Sequence, residues 1–267
     1  MAQKKAEQHR ARRANVVRSQ RAASLKPFYY ALALVAVVGV ALIVRTARRS
    51  AATQQRQVTN VAATAAKAEG HLLGNPNAPV QILEFADFEC PHCAEYATIT
   101  EPDVRKRIVD AGLASYRYFD FPLGHFENSI PASEAAACAG DQNKFWEMHD
   151  KLFQGQPEWN SQATSDPKKV FARYANELGL DTDAWGKCFD SQKHMPEILA
   201  NRDEGLRRHV ESTPTFVIGT KQIPGAIPYD MLKAYVDTAA AQYAANAVAR
   251  ADSQHSPAAK KGGAAKP

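Results

Sequence analysis

Cys90-Pro91-His92-Cys93 sets two thiols three positions apart, with a proline and a histidine between them. Three kinds of chemistry use such a pair: a reversible dithiol–disulfide couple, half of a zinc site, or an ordinary structural crosslink. The flanking residues narrow the choice. Pro79-Val80-Gln81-Ile82-Leu83-Glu84-Phe85-Ala86 is apolar and β-rich, and Gly74-Asn75-Pro76-Asn77 upstream is a turn signal. A buried strand is expected there. A helix is expected to start near Cys90, with Pro91 in its first turn, where a missing N–H costs nothing. A cysteine at a helix N-terminus faces unpaired N–H groups and the positive end of the dipole, which stabilise its thiolate. The thiolate attacks disulfides, and cysteines so placed ionise at about 3.5–7.5 instead of about 8.5. Stabilising it favours the dithiol and makes the disulfide an oxidant. Cys90 is thus expected as the accessible attacking thiol and Cys93, one turn further in, as the shielded resolving thiol. His92 is expected to add positive charge or a hydrogen bond. A zinc site calls for a second C-x-x-C or a His pair. Cys138 and Cys188 lack that spacing, and His71, His125, His149, His194 and His209 are scattered.

Other elements must hold this motif in place. Ala114–Phe119 reads as a second strand, after a helix that Pro102 breaks or restarts and Gly112 stops. Residues 130–207 read as helical throughout. Ser129 or Ser133 is expected to cap a helix carrying Ala137, Phe145, Met148 and Phe153. Further helical runs are Pro167–Leu178, Thr182–Asp190 and Pro196–Val210. Thr215–Ile218 reads as a third strand, Gly219-Thr220 as a turn, and Gln222-Ile223 as a short fourth strand. Tyr229–Val248 is the expected closing helix. The order β-α-β, helical block, β-β-α is an α/β arrangement with an inserted helical subdomain at about 127–210.

Charge is divided sharply along the chain. Residues 1–50 hold 11 Lys/Arg against the single acid Glu7, a net +10, and the remainder holds 22 basic and 27 acidic residues, a net −5. A mildly acidic globular part argues against nucleic acid as a partner. The basic excess instead flanks Phe28–Val44, 17 residues without a charge, whose helix would rise about 26 Å. This segment is expected to be a signal-anchor, with residues 1–27 cytoplasmic and all that follows outside a bacterial cell membrane. A cleaved secretory signal is the other reading and exports the same domain. Residues 45–70 are expected as a stalk, 71–248 as the folded domain, and 249–267 as a disordered tail. All four cysteines, at 90, 93, 138 and 188, then lie on the exported side, where an even count suggests two pairs.

Ile82-Leu83-Glu84-Phe85-Ala86-Asp87-Phe88-Glu89-Cys90-Pro91-His92-Cys93 resembles the active-site strand and helix start of DsbA-like thiol oxidoreductases. Ser212-Thr213-Pro214-Thr215-Phe216 is similar to that family's cis-proline loop, with Ser212 where Gly is usual. Phe121-Pro122-Leu123 with His125, Cys138-Ala139 before Phe145-Trp146, Leu178-Gly179-Leu180-Asp181 and Pro224-Gly225-Ala226 also match. The likeness runs from about Leu73 to Val236. It implies a thioredoxin-like fold with a helical insertion and no cofactor or metal. It implies oxidation of cysteine thiols in exported proteins through Cys90 and Cys93, and a membrane redox partner that reoxidises the pair. It further implies that Pro214 is the cis-proline and that Thr213 tunes the thiolate and substrate release. Glu84 falls where the family has a buried acid, whose raised pKa would let it relay a proton to Cys93. Asp87 competes for that role, and a solvated Glu84 remains open. Cys138 and Cys188 read as a structural disulfide, with a second redox relay as the alternative. A reductase or isomerase of the same fold, and a Cys/His metal-binding module, are the rival functions.

Overall fold

The computed structural model describes residues 66–255, together with the isolated positions Tyr30 and Gly39. The expected span 28–44 otherwise lies outside the described residues. No helix among the described residues is long and apolar enough to cross a membrane. The fold lies within the unit Thr64–Pro267.

Strand β2 (Val80–Ala86) is the organising element. Its side chains alternate with period two, so Val80, Ile82, Glu84 and Ala86 share one face while Leu83 and Phe85 take the other. With β1 (His71–Leu73), β3 (Ala114–Asp120), β4 (Thr215–Ile218) and β5 (Lys221–Pro224) it forms one sheet, ordered β1-β3-β2-β4-β5. β2 and β3 are parallel, pairing Ile82 with Tyr116 and Glu84 with Tyr118. The other pairs are antiparallel, and β4 sets Phe216 opposite Glu84.

The β2–β3 crossover carries α1 (Pro91–Ile99), α2 (Glu101–Val104) and a π turn (Arg105–Val109). Their Tyr96, Val104 and Ile108 pack with Ile82, Tyr116, Phe216 and Ile218. Leu232 and Val236 of α9 (Tyr229–His255) complete that core. The inserted block contains α3 (Ser129–Gly140), α4 (Phe145–Gln154), α5 (Gln156–Trp159), α6 (Lys168–Glu177), α7 (Thr182–Asp190) and α8 (Met195–Arg207). Phe85, Phe119, Phe121 and Val210 form a smaller apolar group on the second sheet face. Here α8 comes so close that a Cβ on Gly205 would sit 2.5 Å from the Phe121 ring. Any larger residue would push the helix off the sheet.

Several expectations need correction. β1 is a fifth strand, too short to show periodicity. The single helix expected from Ser129 to Phe153 is two. Asn143 adopts a left-handed conformation (φ 58°), and the Asn143 and Lys144 amides donate back to Gly140 and Ala139. That ends α3 before Phe145 begins α4. The α3 cap position belongs to Asn128, not Ser129 or Ser133. Its side-chain amide is engaged elsewhere, donating to the Trp159 and Thr164 carbonyls at 2.8 Å. Helix α9 continues past Val248 to His255, so residues 249–255 do not belong to a disordered tail.

A disulfide joins Cys138 in α3 to Cys188 in α7, 50 residues apart in the chain. Closing a loop of this size restricts the unfolded chain by about 4 kcal/mol in the chain-entropy account. The double variant Cys138→Ala/Cys188→Ala is therefore expected to lose up to about 4 kcal/mol in denaturant unfolding. An unchanged midpoint would show that the crosslink adds nothing to the block.

Candidate active site

The turn from β2 into α1 is built on Asp87. Its carboxylate accepts the Glu89 amide and the Leu123 amide, both at 2.9 Å, and its carbonyl accepts the Cys90 amide at 3.0 Å. Gln156 of α5 adds a clamp from the helical block, donating to the Phe88 carbonyl at 2.8 Å and the Cys90 carbonyl at 3.1 Å. Glu89 reaches into the same block, accepting from the amides of Asn128 (2.7 Å) and Ser161. The motif is thus held by both the sheet and the insertion.

Cys90 is the N-cap residue of α1, with extended backbone (φ −71°, ψ 124°), and Pro91 opens the helix. An N-cap side chain ordinarily accepts from the N–H groups of the second and third helical residues. Here those residues are His92 and Cys93; the Cys90 thiol makes no cap hydrogen bond, and their N–H groups act by favouring its thiolate. The Cys90 pKa is lowered from the usual thiol range to about 5. The largest lowering cause is a hydrogen bond from the Cys93 side chain; the Thr213 side chain and the backbone N–H groups of Cys93 and His92 add to it, against an opposing penalty for burial. Cys93 is pushed well up by burial, by its bond to Cys90 and by the charges of Cys90 and Glu84. Both cysteines are free thiols.

Two expectations about the motif need amendment. Cys90 is only 4% exposed, barely more open than Cys93 at 0%. What distinguishes the thiols is their electrostatic surroundings, more than their access. The imidazole of His92 is exposed and pairs with Glu95 at 3.6 Å, so His92 favours the thiolate through its backbone N–H.

The remaining residues singled out in the sequence converge on this pair. The Thr213–Pro214 peptide is cis, and the Thr213 carbonyl accepts from the Cys90 thiol at 3.5 Å. Glu84 is 1% exposed, so the solvated reading is excluded. Its carboxylate accepts the Tyr116 hydroxyl at 2.6 Å. Burial first, then the charge of Glu101, pushes its pKa well above the carboxylate range. Asp87 is pushed up to about 6, chiefly by burial. Both acids therefore border the cysteines. Cys138 and Cys188 stand apart as a bonded pair; with His194 they are the one group of metal-ligand type among the described residues, and their sulfurs are already joined. Sequence reasoning missed Gln156, Glu89 and Tyr116 as partners of the site. Each acts across more than 30 residues of chain, and no spacing pattern reports that.

A family model described as Thioredoxin matches residues 66–238. Disulfide bond formation protein D of Bacillus subtilis is 24% identical over 168 residues, covering 62% of this chain and 75% of that protein. A region of the Na(+)/H(+) antiporter NhaA 3 of Salinispora tropica is 34% identical over 170 residues. That match takes in 63% of this chain but only 24% of the antiporter, so this chain aligns with about a quarter of the length of that relative. Among solved structures, alpha-DsbA1 of Wolbachia pipientis superposes with a TM-score of 0.60 at 21% identity, covering 67% of this chain and 94% of that one. Oxidised BdbD of Bacillus subtilis gives 0.58 at 22% identity, covering 64% and 92%.

Titrating the thiolate absorbance of the reduced protein is expected to give a Cys90 midpoint near 5. In Cys93→Ala the midpoint should rise, because the strongest lowering contact is gone. It should still stay below about 8.5, because the helix N–H groups and Thr213 remain. A wild-type midpoint near about 8.5 would contradict the geometry.

Proposed function

Because this chain belongs to the thioredoxin family, in its DsbA-like branch, we propose that it oxidises cysteine thiols of exported proteins at the Cys90–Cys93 pair. A substrate thiolate attacks the Cys90 sulfur of the disulfide. The Cys90–Cys93 bond breaks, a substrate–Cys90 bond forms, and Cys93 leaves as a thiolate that takes up a proton. A second substrate thiolate attacks the first substrate sulfur and expels Cys90 as a thiolate. The substrate loses two electrons and the protein gains them. A membrane redox partner then withdraws the two electrons and restores the disulfide.

The observation that carries this reading is the opposite treatment of the two thiols. Cys90 is held low by donors at the helix start, and Cys93 is pushed up by burial. A well-stabilised Cys90 thiolate is a good leaving group in the second step. It also favours the dithiol, which is the direction of an oxidase. Burial and a raised pKa suit Glu84 to protonate Cys93 as it leaves. The backbone at Thr213, beside the Cys90 sulfur, offers an edge on which a substrate strand pairs.

The location follows the same reading. The basic N-terminal excess and the uncharged run 28–44 support a single anchor with the catalytic domain outside the cytoplasm. The Cys138–Cys188 disulfide suits an oxidising compartment.

Equilibration with glutathione at neutral pH, with both redox forms quantified, tests the direction. A potential less negative than about −200 mV, with rapid oxidation of a reduced dithiol peptide and loss of that oxidation in Cys90→Ala, is expected. A potential near about −270 mV with efficient insulin reduction would make the protein a reductase instead.

A further inference from the structure

Behind the thiols lies a buried polar seam with more ionisable groups than the disulfide chemistry uses. It starts at Glu84, whose charge is felt at Cys93, and passes the Tyr116 and Tyr96 hydroxyls. It continues to Glu101, only 1% exposed, whose charge is felt at Glu84 and at both tyrosines. Arg105 in the π turn donates to Glu101 Oε1 through Nε at 2.7 Å. It also donates to Asp150 Oδ2 through Nη1 at 3.1 Å, with the Trp146 ring 4.7 Å from its guanidinium. His149, fully buried, sets Nε2 3.8 Å from Glu101 Oε2 and Nδ1 2.9 Å from Asp150 Oδ1. The Tyr118 ring packs edge-on against His149. Asp150 is 43% exposed, and a surface cleft lined by Ala97, Thr98, Arg105, Asp150 and Gln154 opens there.

Two observations make this more than an ion pair. Tyr96 Oη, Glu101 Oε2 and His149 Nε2 are buried, and none is hydrogen-bonded to a described residue. A purely structural cluster ordinarily pairs such atoms within the protein. Glu84 and Glu101 also place two buried acids beside a single half-buried guanidinium, Arg105. Such a seam is inexpensive only while one of the acids holds a proton.

We infer that Glu101, His149 and Asp150 form a back route by which the proton needed at Cys93 is exchanged with solvent. The inference extends the reading of Glu84 given above and rests on it. When Cys93 leaves as a thiolate, Glu84 gives it a proton and becomes charged. Glu101 and the His149 imidazole restore that proton from water at Asp150. In reoxidation each transfer runs backwards: Cys93 loses its proton to Glu84 as its sulfur attacks. The cleft at Asp150 is lined by none of Cys90, Cys93 or Thr213, so a substrate held at the cysteines leaves it free. Glu101 and His149 touch no substrate and act through Glu84.

The test is a single-turnover reaction of oxidised full-length protein with dithiothreitol, followed across pH in light and heavy water. Glu101→Gln keeps the shape and the Arg105 contact, and Asp150→Asn at the exposed end spares the buried core. Both are expected to slow Cys93 release about tenfold, less than the loss of a direct proton donor. The solvent isotope effect should rise, and imidazole or formate buffer should restore part of the rate. The Cys90 thiolate midpoint should stay at its wild-type value, which a general loosening of the site would not allow. If both folded variants keep the wild-type rate, pH profile and isotope effect, the back route is wrong. A lost rate that buffer does not rescue, with a shifted Cys90 midpoint, would likewise overturn it. Dithiothreitol reduces the Cys90–Cys93 disulfide whether the protein works as an oxidase or a reductase, so a wild-type protein that fails to oxidise peptides would count against the proposed function and leave this result interpretable.

Discussion

The start of α1 sets the Cys90 sulfur at the N-cap, where the His92 and Cys93 N–H groups favour its thiolate, and most of the surrounding structure serves to keep it there. β2 delivers the chain to that point, Asp87 folds the turn, and Pro91 begins the helix without wasting a donor. Gln156 and Glu89 tie the turn to the insertion, so the helix start cannot drift from the Thr213 carbonyl. One turn later the same helix buries Cys93, where the charge of Glu84 is felt. A difference of a single turn thus separates a thiol stabilised as an anion from one held neutral. Donors surround the first sulfur, and a desolvated, acid-lined floor surrounds the second.

The insertion is more than a cover. Its α4 brings His149 and Asp150 against α1 and α2, and its α5 supplies Gln156. The Cys138–Cys188 crosslink braces α3 against α7, and the Trp185 indole donates to the Ala135 carbonyl at 3.1 Å across the same interface. Arg105 meets His149 and Asp150, some 45 residues further along the chain, because α4 of this block packs against α1. The π turn at Arg105–Val109 has a local use as well. It places Arg105 where one guanidinium can serve Glu101 and Asp150 together.

Much of this was legible in the sequence wherever local pattern decides structure. Residues 80–86 alternate over a full strand, and Cys90-Pro91 carries a helix-start signal. Ala114–Phe119 and Thr215–Ile218 show the same β-rich pattern. The thiol pair, the Thr213-Pro214 loop and Glu84 fell on motif positions, and the structure gathers them. The misses have physical reasons. β1 is three residues long and owes its pairing to β3. The break between α3 and α4 depends on Asn143 entering the left-handed region, with no glycine or proline to announce it. The role expected of the His92 imidazole passed to its backbone, because the side chain at the second helical position points to solvent and Glu95. Tyr116, Glu101 and His149 read as ordinary strand and helix residues. Only burial against partners distant in the chain links them to Glu84, His149 through Glu101.

The central claim is that Cys90 is an anion and Cys93 a neutral thiol in the reduced protein at neutral pH. The pH dependence of the reduction potential measures this most directly. With Cys90 ionising near 5 and Cys93 far higher, two-electron reduction above that pH takes up one proton. The potential should then fall by about 30 mV per pH unit between about pH 5.5 and 8, and by about 59 mV per unit below Cys90's midpoint. A slope of about 59 mV per unit persisting to pH 8 would mean that both sulfurs carry protons at neutrality, and would contradict the account.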